Sequence, residues 1–296
     1  MSLLSSVSGL RSAVSGLRSP VSGLRSSVSG LLFGCLLIAA PAFAQTPSVV
    51  NGTLESRAAV QPVEREIAAL MSRVSGPVWV GYAVAVNSRD REAGCWASDG
   101  FSGRTRVGPL KLEGSDAIFV LYRIVDRAVQ QIRVASPECP LDIGGLTLHW
   151  LTGVRATDSI NWLATLVTGD PSRKVANSAT MAIALHEGTQ ATDRLIALAR
   201  DGKSGDVRGT ALFWVAQRAG DKAVGTINQA LEDPETEVRK KAVFALSQLP
   251  KDEGVPKLID VARNHRDAAV RRQAMFWLGQ SRDPRALAFF EQVLRN

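Results

Sequence analysis

One pattern, written four times in the last third of the chain, constrains the fold more than any other feature. Each copy begins with a valine, has an alanine four residues later and a large aliphatic residue eight residues later. A spacing of four and eight residues places all three side chains on one face of a helix. Recurrence at a fixed interval of this length is typical of stacked-repeat proteins. The valines, at intervals of 32, 31 and 32 residues, are Val175, Val207, Val238 and Val270.

A second apolar segment follows each copy of the pattern, beginning at Arg194, Thr226, Lys257 and Ala288. Each unit is therefore predicted to be a helix, a turn and a second helix, and the four units to form an all-α solenoid. Apolar residues at helical spacing between 160 and 167 predict a half-unit that covers the first end of the stack. The solenoid, with this half-unit as a cap, is assigned to residues 156–296.

The repeated pattern resembles HEAT repeats, especially the short HEAT-like repeats of phycobiliprotein lyases. The resemblance lies in an acidic residue, a valine and an arginine in succession, at 206–208 and 237–239, followed by the alanine and aliphatic positions. It implies an α-α superhelix of stacked helix pairs. It implies little about activity, because this architecture serves scaffolds, adaptors and some enzymes alike.

The first 44 residues have the features of a bacterial export signal. A tract of seven-residue repeats with three arginines and no acidic residue leads into an apolar run, 31–44, which ends Ala42-Phe43-Ala44. This order predicts a signal peptide cleaved after Ala44 and a periplasmic or secreted protein. The run is shorter than the roughly 20 residues that a membrane-spanning helix needs, so no stable membrane span is expected. A lipoprotein anchored at Cys35 is the alternative.

The charge of the chain does not predict a nucleic-acid partner. Lysine and arginine number 35 against 28 acidic residues, and three of the arginines lie in the leader. After the leader, no run of five or six like charges occurs, as a nucleic-acid-binding segment would require. A protein is the expected partner.

Two cysteines remain after the leader, Cys95 and Cys139. An even number in an oxidising compartment predicts a disulfide bridge between them. The alternative is two buried thiols, because the sequence does not establish the geometry that a bridge requires.

Residues 62–155 have the composition of a small, mostly antiparallel β domain with one helix. A helix is predicted from Pro62, and strands are predicted to begin at Val78, Leu110, Ala117, Ala128 and Leu146, in segments rich in β-branched and aromatic residues. Residues 45–61 are predicted to be a linker. The fold class is therefore α+β with two domains, a small β domain followed by the HEAT-like solenoid.

Aromatic residues of the β domain support two hypotheses. They can fill the core of a small sheet, or they can line a pocket of an enzyme or small-molecule binder. The core is favoured, because no group of polar residues accompanies them. The residues are Trp79, Tyr82, Trp96 and Trp150.

No catalytic, cofactor or metal site is predicted. The chain has three histidines, His149, His186 and His265, and only one His-Glu pair, whereas a HEAT-like iron hydroxylase family uses several such pairs as ligands. The G-x-S-x-G, phosphate-loop and HExxH motifs are absent from the sequence. The chain is therefore expected not to be an enzyme, and an exported scaffold or adaptor is the leading interpretation.

A stripe of aromatic and polar residues recurs on the first helix of three units, away from the buried valine and alanine. The spacing of i, i+3 and i+7 aligns its members along one side of each helix. Such a stripe could bind an extended peptide; alternatively, each phenylalanine packs against the next unit. The nearby Trp214 and Trp277 are predicted to pack. The stripe consists of Thr210, Phe213 and Gln217, of Lys241, Phe244 and Gln248, and of Gln273, Phe276 and Gln280.

An arginine follows the valine in three units, at Arg208, Arg239 and Arg271. Its place near the apolar side predicts a structural ladder, since a buried guanidinium is costly without a partner. The expected partners are carboxylates such as Asp233 and Asp267 in the turns that precede the first helices.

Overall fold

A computed structural model describes residues 46–86, 116–169, 171–218 and 221–295. The predicted signal peptide lies outside these ranges, as do Cys95, Trp96 and the strand predicted from Leu110. The described residues contain β-strands first and helices afterwards, which confirms the predicted order of a small β region and an α-solenoid.

The β region contains a five-stranded sheet, a separate two-stranded pair and one helix. The sheet has the order β2-β7-β3-β4-β5, and β1 pairs with β6. The elements are β1 (Val49–Val50), β2 (Thr53–Ala58), α1 (Val63–Arg73), β3 (Val78–Ala85), β4 (Ala117–Val125), β5 (Ala128–Ala135), β6 (Leu141–Asp142) and β7 (Thr147–Thr152).

The sheet is mixed, so the prediction of a mostly antiparallel sheet was wrong. Strand β7 lies between β2 and β3 and is parallel to both, whereas β3, β4 and β5 pair in antiparallel fashion. The parallel half arises because the chain passes from β2 through α1 before it enters β3, a crossover that returns the chain in the same direction. Part of the segment predicted to be a linker, 45–61, supplies β1 and the edge strand β2.

Strands β3 and β4 are buried on both faces. Alternate residues of β3, such as Val80 and Tyr82, belong to the core that the sheet shares with the helices, whereas Trp79 points into a second cluster with Phe119 and Trp150. Burial on both faces explains why these strands read as nearly continuous apolar segments rather than alternating ones.

The helices follow as a half-unit and four helix pairs. Their bounds are α2 (Ala156–Thr168), α3 (Arg173–Leu185), α4 (Thr189–Asp201), α5 (Gly205–Arg218), α6 (Asp221–Leu231), α7 (Thr236–Ser247), α8 (Lys251–Asn264), α9 (Ala268–Ser281) and α10 (Pro284–Arg295). The first helices of the pairs, α3, α5, α7 and α9, pack on one another in chain order. The repeated valine, alanine and aliphatic positions are buried between the helices, as the pattern predicts.

The sheet and the solenoid share one hydrophobic core. Strand β5 packs on α3 and helix α1 on α2, and a continuous cluster of buried residues extends from Val63 to Phe289. Strand β5 therefore lies where the first helix of a preceding unit would lie. The sheet thus covers the end of the stack together with the half-unit helix α2.

Four fully buried polar side chains connect the sheet to the solenoid. Tyr122 on β4 and Tyr82 on β3 lie 2.5 Å apart between hydroxyl oxygens, and the Tyr82 hydroxyl is 2.7 Å from Ser159 Oγ on α2. Ser159 Oγ is 2.8 Å from Nε2 of His186, the residue that follows α3, and His186 Nδ1 is 2.7 Å from the carbonyl oxygen of Ala182. We call these four side chains the buried joint.

The direction of every hydrogen bond in the buried joint follows from one fixed acceptor. The Ala182 carbonyl can only accept, so His186 Nδ1 carries the proton and Nε2 accepts from Ser159. Ser159 then accepts from Tyr82, which accepts from Tyr122. Burial is the main reason that the pKa of His186 falls to about 4, and nearby Arg218 contributes in the same direction. The joint is thus complete only with a neutral imidazole.

Backbone contacts at the same point hold the sheet and the loop after α3 together. Val86, just beyond β3, forms an antiparallel bridge with His186, and the Glu187 amide donates to the Ala85 carbonyl at 3.1 Å. The Arg218 guanidinium donates to the carbonyl oxygens of His186 at 2.7 Å and Gly188 at 3.0 Å. His186, considered in the sequence only as a metal ligand, therefore lies at the junction of the two parts.

Candidate functional site

Five aromatic rings form a continuous row across the last three repeat units. The rings contact each other in the order Trp214, Phe213, Phe244, Trp277 and Phe276, with centroid separations of 5.0, 5.8, 4.9 and 5.0 Å. The rings of Phe213 and Phe244 are nearly parallel, at 3°. We call this set the aromatic row.

The repeat pattern itself places the row at the surface. Each phenylalanine follows the first valine of its unit by six residues, which puts it on the side of the helix opposite the buried stripe. Phe213 and Phe244 are half-buried by their contacts with neighbouring rings, whereas Phe276 is 54% exposed. Both sequence hypotheses therefore describe part of the row, since the rings pack between units and still face solvent at their edges.

The tryptophans also belong to the row. Trp214 and Trp277 are half-buried, and each makes an edge-on contact with the phenylalanine that precedes it in the chain. The prediction from the sequence placed them in packing alone. The signal for a joint role was their position immediately after a phenylalanine in the second and fourth units.

Polar side chains border the row on both sides. On one side, the Gln217 amide donates to Gln248 at 3.4 Å, so two of the predicted glutamines form a ladder between units. On the other side, Lys241 Nζ lies 3.1 Å from Asp206. The hydrogen bond from Lys241 is the main reason that the pKa of Asp206 is lowered. The lysine of the predicted protein-binding set is therefore held in an ion pair.

Thr210 has a similar contact with the preceding unit. Its hydroxyl donates to the side-chain oxygen of Asn177 on α3 at 3.1 Å, and Asp206 also pairs with Arg173 at 2.7 Å. The remaining members of the predicted set, Gln273 and Gln280, lie on α9, half-buried and exposed respectively. The polar border thus follows the stack from α3 to α9.

The arginines connect each unit to the next one. Arg208 binds both carboxylate oxygens of Asp233, at 2.8 and 3.0 Å, and reaches Glu235 and the Gly202 carbonyl as well. Burial alone would raise the pKa of Asp233, but the hydrogen bonds from Arg208 outweigh burial and hold that pKa below its usual value. In the same way Arg239 pairs with Asp267 of the following unit at 2.6 Å.

The direction of this ladder differs from the prediction, which paired each arginine with the turn before its own helix. Arg239 contacts that turn only through the carbonyl oxygens of Asp233 and Pro234. The carboxylates reach back instead, because the arginine side of each first helix faces the following unit. Arg271 keeps the carbonyl contacts, with His265 at 2.7 Å and Arg266 at 3.1 Å.

The aromatic residues of the β region fill its core. Trp79, Tyr82 and Trp150 are each 3% exposed or less, and Trp150 packs edge-on against Phe119 at 4.7 Å. Three of the four residues that could have lined a pocket are therefore core, and Trp96 lies outside the described residues. Cys139 is fully buried, and its bridge with Cys95 stays a prediction.

The histidines lie in separate places. His149 is 3.1 Å from Glu55 across the β2–β7 pair, His186 belongs to the buried joint, and His265 Nε2 is 3.0 Å from the Leu231 carbonyl. Within the described ranges, no group of three histidine, cysteine or acidic side chains is arranged to hold a metal ion. No described helix combines the length and the apolar character that crossing a membrane requires.

Comparison with known proteins supports the repeat assignment. A family model described as HEAT repeats matches residues 192–263 and 223–296. The solved complex of CpcE and CpcF of phycocyanin lyase from Nostoc sp. PCC7120 is 21% identical, with 41% of this chain and 85% of that chain covered and a TM-score of 0.32. The X-ray structure of YibA from Escherichia coli is 22% identical, with 47% and 54% covered and a TM-score of 0.34.

A third solved structure, of an engineered protein, is 20% identical, with 43% of this chain and 67% of that chain covered and a TM-score of 0.27. No curated protein matches the sequence. The family match confirms the resemblance that the repeated valine, arginine and alanine positions carry.

Proposed function

Because residues 192–296 carry HEAT repeats, we propose that this chain is an exported scaffold or adaptor that binds another protein through the aromatic row. The observation that carries the proposal is the continuity of the row, in which five touching rings cross three units and end at the exposed Phe276. Aromatic side chains are enriched at the centres of protein interfaces, because they bury much surface with little loss of conformational freedom.

The polar border supports an extended partner segment. Glutamine side chains on one side of the row and threonine and glutamine on the other can donate to and accept from the backbone of a peptide, while the rings contact its side chains. The regular advance of the units offers the same contacts at repeated intervals. A solenoid achieves this presentation without internal motion, since each unit is fixed by its neighbours.

The alternative function, an enzyme or small-molecule binder with its site among the β-region aromatics, is less well supported. Its candidate residues Trp79, Tyr82 and Trp150 are occupied in core packing. The buried joint contains a serine and a histidine within hydrogen-bond distance, but both side chains are fully buried and the serine hydroxyl is engaged with Tyr82. A substrate would have no path to it within the described fold.

We expect Phe276→Ala to weaken partner binding by roughly tenfold or more, as for a central interface aromatic. Its effect on the free energy of unfolding should stay within about 0.5 kcal/mol, because the ring is half exposed. The measurement compares proteins retained by the immobilised wild-type chain and by the variant from total protein of the source organism, with thermal melting of both.

Val60→Ala is the matched control, since Val60 is an exposed apolar side chain before α1 and away from the row. A partner retained by the wild type and by Val60→Ala but lost by Phe276→Ala supports binding through the row. If every retained protein binds Phe276→Ala equally well, the row is not the binding surface.

A further inference from the structure

The last repeat unit presents a face that serves as an interface in the units before it. Arg208 and Arg239 each bind an aspartate of the following unit, Asp233 and Asp267 respectively. Arg271 holds the same place in α9, and its guanidinium donates to the carbonyl oxygens of His265 and Arg266. No carboxylate among the described residues takes the part that the following aspartate takes for the other two arginines.

Helix α10 continues this face with apolar side chains. In α8 the corresponding side faces the next unit, since the Arg263 guanidinium lies 5.3 Å from the Phe289 ring of α10 and also contacts Gln292. Leu294 holds in α10 the position that Arg263 holds in α8, and it is 86% exposed. Leu287, seven residues earlier and therefore on the same side of the helix, is 62% exposed.

Between these two leucines lies Phe290, which is only partly buried against the core. The exposed side of α10 therefore combines three large apolar residues, although the outer face of a terminal repeat is normally polar to maintain solubility. An apolar helix side next to a guanidinium has the composition of the buried contacts between units. We call the set of Arg271, Leu287, Phe290 and Leu294 the end face.

The geometry points to the end face as a docking surface for a helical pair of a partner protein, with an aspartate or glutamate in the turn before its first helix. The charge of the face selects this partner, because the same arginine position binds an acidic turn residue in two preceding units. A second copy joined through the same face would bring two Arg271 guanidinium groups into one interface, which like charge opposes. The end face is separate from the aromatic row, so this inference stands apart from the proposed function.

The test supplies a helical pair of known chemistry. A copy of residues 265–296, which contains Asp267 in its turn, is joined to the C-terminus of the full chain through a flexible Gly/Ser linker. The tether gives the copy a high effective concentration without dictating how it docks. Amide hydrogen exchange in α10 of the host is then compared with that of the chain without the copy.

We expect the tethered copy to slow exchange in α10 by about tenfold, with loss of most of this protection when Asp267 of the copy is changed to arginine. Host Arg271→Asp should also remove the protection, measured against the same host variant without a copy. Combining the two substitutions restores opposite charges across the interface and should restore the protection, as a double-mutant cycle requires.

A matched host variant, Leu294→Glu, should abolish the protection without changing the melting temperature of the untethered chain, since its side chain lies in solvent. Unchanged exchange in α10 with the copy attached would overturn the inference. So would protection that both charge reversals leave intact, because it would indicate nonspecific apolar contact. Dimerisation of the untethered chain that Leu294→Glu abolishes would replace the partner protein with a second copy.

Discussion

Replacing Asp233 with alanine should lower the free energy of unfolding by roughly 3–5 kcal/mol, because it leaves the Arg208 guanidinium largely buried without its main counter-charge. The two side chains are only 11% and 10% exposed, and the pair is bidentate. Glu235 also reaches Arg208, but its side chain is mostly in solvent and replaces little of the lost interaction. Urea denaturation at pH 7 measures the change.

Two further variants show whether the buried charge is the cause. Glu237→Ala breaks the exposed pair with Lys240 on the same helix and should cost no more than about 0.5 kcal/mol. The double variant Arg208→Met with Asp233→Ala should be less destabilised than Asp233→Ala alone, since it leaves no unpaired charge. A double variant less stable than the single one would contradict this explanation.

Lowering the pH from about 6.5 to about 4 should remove on the order of 3 kcal/mol of stability through His186 alone. The folded protein holds the pKa of His186 at about 4, below the ordinary value of 6.5, because the ring is buried. In that interval the unfolded chain binds a proton that the folded chain refuses, so acid favours unfolding. A proton on Nε2 would also take away the acceptor that Ser159 needs.

The measurement is the free energy of unfolding against pH for the wild type and two variants. His186→Gln retains an acceptor near Ser159 but does not titrate, and its stability should change much less between pH 6.5 and 4. His149→Gln is the matched control, because His149 is partly exposed and burial lowers its pKa only with opposition from Glu55. Equal slopes in the wild type and His186→Gln would exclude the buried joint as the source of acid sensitivity.

The carboxylates of the ladder act in a lower pH range. The hydrogen bond from Arg239 is the main reason that the pKa of Asp267 lies below its usual value. A depressed carboxylate pKa contributes stability that is present above the ordinary pKa and is lost as the pH falls through the depressed one. The contribution of His186 is therefore separable, since it disappears at higher pH than that of Asp267.

The solenoid could be predicted because its signal is written several times. One alanine four residues after a valine means little, but the same spacing at Val207, Val238 and Val270 fixes helix faces, turns and stacking order together. The aromatic row followed from the same register, six residues after each valine. Only the contacts between rings of different units, and the part that Trp214 and Trp277 take in them, needed coordinates.

The sheet topology could not be predicted, because its decisive strand carries no strand signal. Strand β2 has the sequence TLESRA, is largely exposed and pairs on one side only, so it lacks the alternation of a half-buried strand. Nothing local indicates that β7 enters between β2 and β3. The parallel half of the sheet is a property of tertiary pairing, which single-segment patterns do not record.

The buried joint was missed for a related reason. Ser159 and His186 are 27 residues apart, and Tyr82 is 77 residues before Ser159, so no short motif contains them. The direction of the arginine ladder was likewise hidden, because Asp233 stands equally near two arginines along the chain. The side of the helix that faces the next unit decides between them, and this side depends on how the stack turns.

The forward reach of the arginines has a consequence for how such an array changes in length. Each inner unit contributes one guanidinium to its successor, and the turns at Asp233 and Asp267 return one carboxylate to the predecessor. Duplicating a whole unit inside the ladder would add a cation and an anion together and leave every existing bond with an equivalent partner. Gene duplication could therefore lengthen the protein one unit at a time without passing through a sequence that buries a lone charge.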